Sequence, residues 1–160
     1  DYQAVYQLVK EAFAAVEHRD GTEQDLVAAL RKGTAFVPEL SLVAEQAGRI
    51  VGHILFTKAK VGEETVLVLA PLAVLPEYQN QGAGTALVEE GHERAREMGF
   101  GYSLVLGSDT YYPRFGYVPA HQLGVEGTPE FPPANFMGIK LREKADSLRG
   151  AVIYPREFGI

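Results

Sequence analysis

The stretch PEYQNQGAGTALVEEGHERA, residues 76–95, decides how the chain is read. It follows an apolar run, TVLVLAPLAVL at 65–75, and places Gly82 and Gly84 where a loop turns into a helix. Glycine weakens a helix by about 1 kcal/mol relative to alanine, so two of them at a helix start need a reason. A helix N-terminus carries unpaired N–H groups and a partial positive charge, which suits phosphate oxygens. Without side chains at its entrance, the backbone can approach such a ligand closely. A tight turn with close helix-to-sheet packing is the plainer reading of the same glycines.

Two familiar phosphate motifs do not fit. No lysine follows the glycines as a P-loop requires, and Leu87 stands where a dinucleotide fingerprint needs its third glycine.

Working outward, Tyr2, Val5, Tyr6, Val9, Ala12, Phe13 and Val16 recur at three- and four-residue steps and predict a helix. Thr22 followed by Asp25 resembles a capping box for a second helix, which Gly33 can end, so Glu23 and Asp25 are assigned to capping. SLVAE and GRIVGHILFTKA, either side of Gln46 to Gly48, read as a β-hairpin whose second arm lies inside the sheet. Thr65 to Leu75 is apolar on both faces, as a covered central strand is. Pro71 cannot donate to a ladder, so the sheet should open near it. Leu87, Gly91, Ala95 and Met98 form one helical stripe, with Gly99 as a C-terminal cap. Tyr102 to Leu106 is a further strand, and the runs EFPPANFMGIKL and SLRGAVIYP can complete the sheet.

At 160 residues and 46% hydrophobic content the chain can bury a core, and residues 1–160 are expected to form one mixed α+β domain. The net charge of −6, without blocks of like charge, argues against nucleic acid or an anionic membrane as partner and suits a cationic amine. No apolar run approaches membrane-spanning length, and a cytoplasmic protein is expected. With no cysteine, a covalent cysteine intermediate and thiolate metal sites are excluded. The four histidines are scattered, and a metal site is not expected.

The spacing Gln79-x-x-Gly82-x-Gly84 resembles the [Q/R]-x-x-G-x-[G/A] signature of the GNAT superfamily of N-acetyltransferases. Its surroundings agree: a proline-interrupted strand before, a helix after, and Tyr111-Tyr112-Pro113-Arg114-Phe115-Gly116-Tyr117, which is similar to the family's F-Y-x-x-x-G-F stretch. The resemblance is close over about Thr65 to Pro119. It implies a central, mostly antiparallel sheet splayed between the family's fourth and fifth strands and flanked by helices. The chain opens inside the family's first helix, at Asp1, so the family's first strand is expected upstream.

The activity implied is direct transfer of an acetyl group from acetyl-coenzyme A to a primary amine of a small molecule or protein. The resemblance places the pyrophosphate on Gln79, Asn80, Gln81, Gly82, Ala83, Gly84 and Thr85, with Gln79 orienting the loop. It places the pantetheine arm along Leu72, Ala73 and Val74, like an added strand. A backbone N–H near Ala73 or Val74 would receive the oxyanion, and Tyr112 would be the general acid for the leaving thiolate. Tyr111 is assigned to packing. His53 is a weak candidate for the base and more simply a core histidine. Glu17, His18 and Asp20 could attract a cation where the family builds its substrate lip. The alternative is a non-catalytic acyl-coenzyme A sensor. Dimerisation is common in the family, and a homodimer stays open.

Overall fold

Ala47 and Gly48 both hold positive φ, 54° and 78°, as a two-residue hairpin turn requires. They join two long strands of the sheet, β1 (Phe36–Gln46) and β2 (Arg49–Val61). The structure is a computed structural model that describes residues 2–14 and 23–159. Val16, the acidic break Glu17 to Asp20, and the Thr22 cap lie outside the described residues.

Ahead of the hairpin stand α1 (Tyr2–Ala14) and α2 (Glu23–Arg31), whose apolar stripes, Val5, Val9, Ala12, Val27 and Leu30, pack on Leu55 and Ala73. The Tyr6 hydroxyl donates to Asp25 at 2.8 Å and ties the two helices together. β3 (Glu64–Val74) returns antiparallel to β2, and α3 (Ala83–Glu97) covers the other face through Leu87, Val88 and Ala95. β4 (Tyr102–Leu106) then runs parallel to β3. Short strands β5 (Val118–Pro119) and β6 (Val125–Glu126) precede β7 (Phe136–Lys140) and β8 (Gly150–Ile153). The eight-stranded sheet runs β5-β7-β4-β3-β2-β8-β6, with β1 also paired to β2.

The sheet is mixed, with antiparallel pairs dominating; β3–β4 and β6–β8 are the parallel ones. Both hairpin strands run further than the hydrophobic pattern suggested: β1 because the ladder absorbs Pro38 at a register shift, and β2 because Lys60 and Val61 go on pairing with β3 and β8. The two-residue strands β5 and β6 carry too little pattern to be read in advance. Met98 departs from the expected helical stripe. It is the C-cap residue and 43% exposed, while Gly99 beyond it takes the left-handed conformation at φ 93°.

Pro71 behaves as expected of a proline inside a sheet. Ala70 and Pro71 stand together opposite Leu55, a bulge in the β2–β3 ladder. β3 pairs with β4 only at Leu67 with Ser103 and Val68 with Leu104. Past Leu69 the two strands have parted, and in this chain's numbering the splay lies between β3 and β4.

Candidate functional site

The end of β3 and the start of α3 face one cleft of about 510 Å³, lined by Leu72, Val74, Gln79, Asn80, Gly82, Gly84 and Thr85 with Tyr78, Tyr111 and Arg114. Its upper wall follows from ladder alternation. The Leu75 N–H donates to the Val51 carbonyl at 2.9 Å, so Ala73 two residues back also turns its backbone groups toward β2. Leu72 and Val74 turn theirs into the gap left by β4. Consistent with this, the Val74 carbonyl accepts from Gln79 Nε2 at 3.1 Å. Gln79 thereby ties the loop to the strand. The side chain of Ala73 is buried on the opposite face, among α1 and α2.

The helix end forms the floor. Gly82 is the N-cap of the 15-residue α3, with φ 91°, and no side chain caps the helix. The first intrahelical bond runs from the Ala86 N–H to the Gly82 carbonyl at 3.0 Å, which leaves the N–H groups of Ala83, Gly84 and Thr85 without helical partners. No acidic residue occupies the first turn. The two glycines act differently. A Cβ on Gly82 would meet nothing within 4 Å, so glycine there serves the left-handed backbone and leaves the helix end uncovered. A Cβ on Gly84 would lie 2.6 Å from the Tyr111 hydroxyl, so glycine there makes room for that phenol.

Tyr111 therefore belongs to the cleft. The Arg114 guanidinium lies 4.4 Å from its ring centroid, and Arg114 Nε donates to the Tyr111 carbonyl at 3.2 Å. Among the described residues Arg114 is the one charged side chain of the lining. Burial raises the Tyr111 phenol pKa, while the Arg114 charge and the Thr85 side chain pull the other way. Sequence reasoning quoted both residues within the aromatic stretch but gave neither a site role. Their meeting with Gly84 depends on how the chain folds back across 27 residues.

Tyr112 sits behind Tyr111, outside the cleft lining. Its ring packs on Gly107 and makes edge contacts with Tyr111 and Tyr117 at centroid separations of 5.1 and 5.7 Å. Burial holds its phenol well above the ordinary tyrosine range, with the Tyr111 phenol adding to the shift. Behind it runs a sealed polar chain: His92 Nε2 to the Tyr117 hydroxyl at 2.9 Å, and that hydroxyl to Ser103 Oγ at 2.8 Å. Gln81 bonds the Glu77 carbonyl at 3.1 Å, and Asn80 holds φ 62° beside the cleft.

His53 is fully buried, its Nδ1 2.9 Å from the Leu42 carbonyl. Desolvation lowers its pKa to about 4, so it is neutral at pH 7 and a poor proton acceptor. No group of metal-ligating residues occurs among the described residues. No helix there is long and apolar enough to cross a membrane.

A cleft between parted strands, floored by an uncapped glycine-led helix, is the geometry that the resemblance implied. Residues 2–117 match the model of the Acetyltransferase (GNAT) family. The chain belongs to that family. Over 101 residues it is 48% identical to the uncharacterized N-acetyltransferase YjhQ of Escherichia coli, a match covering 61% of this chain and 56% of that protein. It is 38% identical over 81 residues to YhbS of the same organism, covering 49% and 48%. The chain thus spans about half the length of the curated relatives it matches. Among solved structures, the GNAT N-acetyltransferase YhbS from Escherichia coli in complex with CoA superposes with TM-score 0.89 at 27% identity, covering 100% of this chain and 87% of that one. A GNAT acetyltransferase from Brucella melitensis in complex with acetyl-CoA gives 0.82 at 31%, covering 99% and 92%. The mixed α/β fold of this GNAT chain is that of these two neighbours.

Proposed function

We propose that this GNAT chain binds acetyl-coenzyme A in the β3–β4 cleft and transfers its acetyl group directly to a primary amine. The observation that carries this reading is the joining of two openings in one cleft: the unpaired edge of Leu72 and Val74, and the uncapped N-terminus of α3. Bound there, acetyl-coenzyme A supplies an activated thioester for an amine to attack. The absence of cysteine agrees with direct transfer, without an acyl-enzyme.

Backbone N–H groups from Gln81 to Thr85 receive the pyrophosphate, aided by the partial positive charge of the helix end. Arg114, stacked on Tyr111 and tethered through Nε, offers its remaining N–H groups to the same phosphates. The outward edge of β3 hydrogen-bonds the pantetheine arm as an added strand. Since Ala73 turns toward β2, the Val74 N–H is the donor for the thioester oxyanion. The proton for the departing thiolate is assigned to Tyr112, which burial keeps protonated but also makes a weaker acid, so its hydroxyl must gain access to the cleft past Tyr111 when the cofactor binds. Among the described residues no carboxylate or imidazole lines the cleft; we propose that the amine arrives neutral or loses its proton to water.

Calorimetric titration with acetyl-coenzyme A tests this. Native protein should bind, Gly82→Glu should lose at least tenfold in affinity, and Gly82→Ala, with the same backbone strain but no bulk, should keep most of it. Arg114→Gln should weaken binding several-fold, and an amine screen following thiol release then seeks the acceptor. Absence of binding by the native protein would overturn the reading.

A further inference from the structure

A second and larger cleft, of about 920 Å³, lies at the other end of β2. It arises from a seam in the sheet. β1 and β8 use the same edge of β2 end to end: the Lys58 N–H reaches the Ala35 carbonyl at 3.0 Å on one side, and Lys60 pairs with Ile153 on the other. Between them the edge opens. From Gly52 to Lys58 is six residues, roughly 20 Å along an extended strand, so this opening is well separated from the β3–β4 cleft.

Its charge runs against that of the chain. In a protein of net charge −6, Lys32, Lys58, Lys60 and Arg156 all line this cleft, against one carboxylate among the described residues, that of Glu157. That carboxylate is folded over Gly33, in the space a Cβ would fill. The ion pairs among the described residues are both on α3, so none of the four cations is neutralised by a salt bridge there. Lys60 donates to Thr65 Oγ1 at 2.6 Å, while the ammonium of Lys58, a partly buried residue, makes no hydrogen bond among the described residues. Four cations lining one cleft gain most from a multiply charged anion that touches several at once.

We infer that this seam is a binding site for a small phosphate-rich anion, distinct from the cofactor cleft. Lysines act as point charges on phosphate, and Arg156 can engage it through two N–H groups. The 63% exposed Ile153 and the Tyr154 ring give the cleft an apolar rim, which a nucleotide could use and inorganic polyphosphate could not. The inference does not rest on the acetyltransferase reading.

The test is calorimetry with tripolyphosphate and, separately, ADP, on the native protein and on Gly82→Glu, whose cofactor cleft is blocked. Gly82→Glu, which can no longer take these anions in the cofactor cleft, should still bind both at the seam, and that affinity should fall as salt rises. Placed in the Gly82→Glu background, Lys58→Met, which keeps the packed stem, and Arg156→Gln, on an exposed residue, should each weaken binding at least fivefold with unchanged circular dichroism and melting. Tighter binding of ADP would support a nucleotide, equal binding an inorganic polyphosphate. No binding by Gly82→Glu, or binding kept in full when Lys58→Met and Arg156→Gln are added to it, would overturn the inference.

Discussion

Tyr111 and Tyr112 are neighbours in sequence with opposite surroundings. The first lays its hydroxyl against Gly84 and carries Arg114 on its face; the second is wedged among Gly107, Tyr111 and Tyr117. The proposed chemistry divides in the same way. Tyr112→Phe should leave the acetyl-coenzyme A Kd within about twofold and lower kcat by about 100-fold, in the range for loss of a general acid. Tyr111→Phe should show the reverse split, raising Kd several-fold at nearly constant kcat. Equilibrium titration beside steady-state kinetics separates the two, and unchanged turnover in Tyr112→Phe would remove it from the mechanism. The glycines could be picked out from the residues as a helix start, and Tyr112 through the likeness of its aromatic stretch to the family's, because both features are local in sequence. The sequence did not reveal the role of Tyr111 or Arg114, because the steric pairing of Tyr111 with Gly84 exists only once β4 and the turn after it are laid beside α3.

At the scale of elements, proline and glycine punctuation was legible and fine geometry was not. Pro71 announced the parting of β3 from β4, and Tyr102–Leu106 was readable as a strand to its ends. Which carbonyls face the gap was not readable, since this follows from the ladder phase beyond the bulge opposite Leu55. Gly91 gives a further case. A mid-helix glycine should be improved by alanine by about 1 kcal/mol on propensity alone. Here an added Cβ would lie 2.2 Å from the Phe56 ring, which is fully buried between β2 and α3. Overpacking in a core costs about 1–3 kcal/mol, so steric conflict should win and Gly91→Ala should be destabilising by about 1 kcal/mol net. Chemical denaturation would measure it, and combining Gly91→Ala with Phe56→Leu should recover part of the loss. A gain in stability from Gly91→Ala alone would mean that α3 rides further from the sheet than described.

Across the whole molecule, the sheet holds a buried histidine on each side. His53 faces α1 and α2, and His92 on α3 reaches Tyr117. Desolvation is the main cause in both, aided at His92 by the Arg96 charge and opposed at His53 by the bond to the Leu42 carbonyl; each pKa falls from 6.5 to about 4. Above pH 6.5 neither the folded nor the unfolded chain protonates these rings, and their contribution to stability is fully present. Between 6.5 and 4 the unfolded chain takes up protons that the folded one refuses, so stability falls with falling pH. A shift of this size corresponds to on the order of 3 kcal/mol per histidine, a large share of the roughly 5–15 kcal/mol by which domains are stable. Most of this window lies above the ordinary carboxylate range, so the loss between pH 6.5 and 5 should be traceable to the two rings. Urea unfolding at pH 7.5, 6.5, 5.5 and 5.0 should give a plateau followed by a decline. His92→Gln should be less stable throughout, because Tyr117 loses its partner, yet its decline should be about half as steep. A native curve flat down to pH 5 would mean that both rings are protonated in the folded protein, and the sealed chain from His92 through Tyr117 to Ser103 would then have to open to admit the charge.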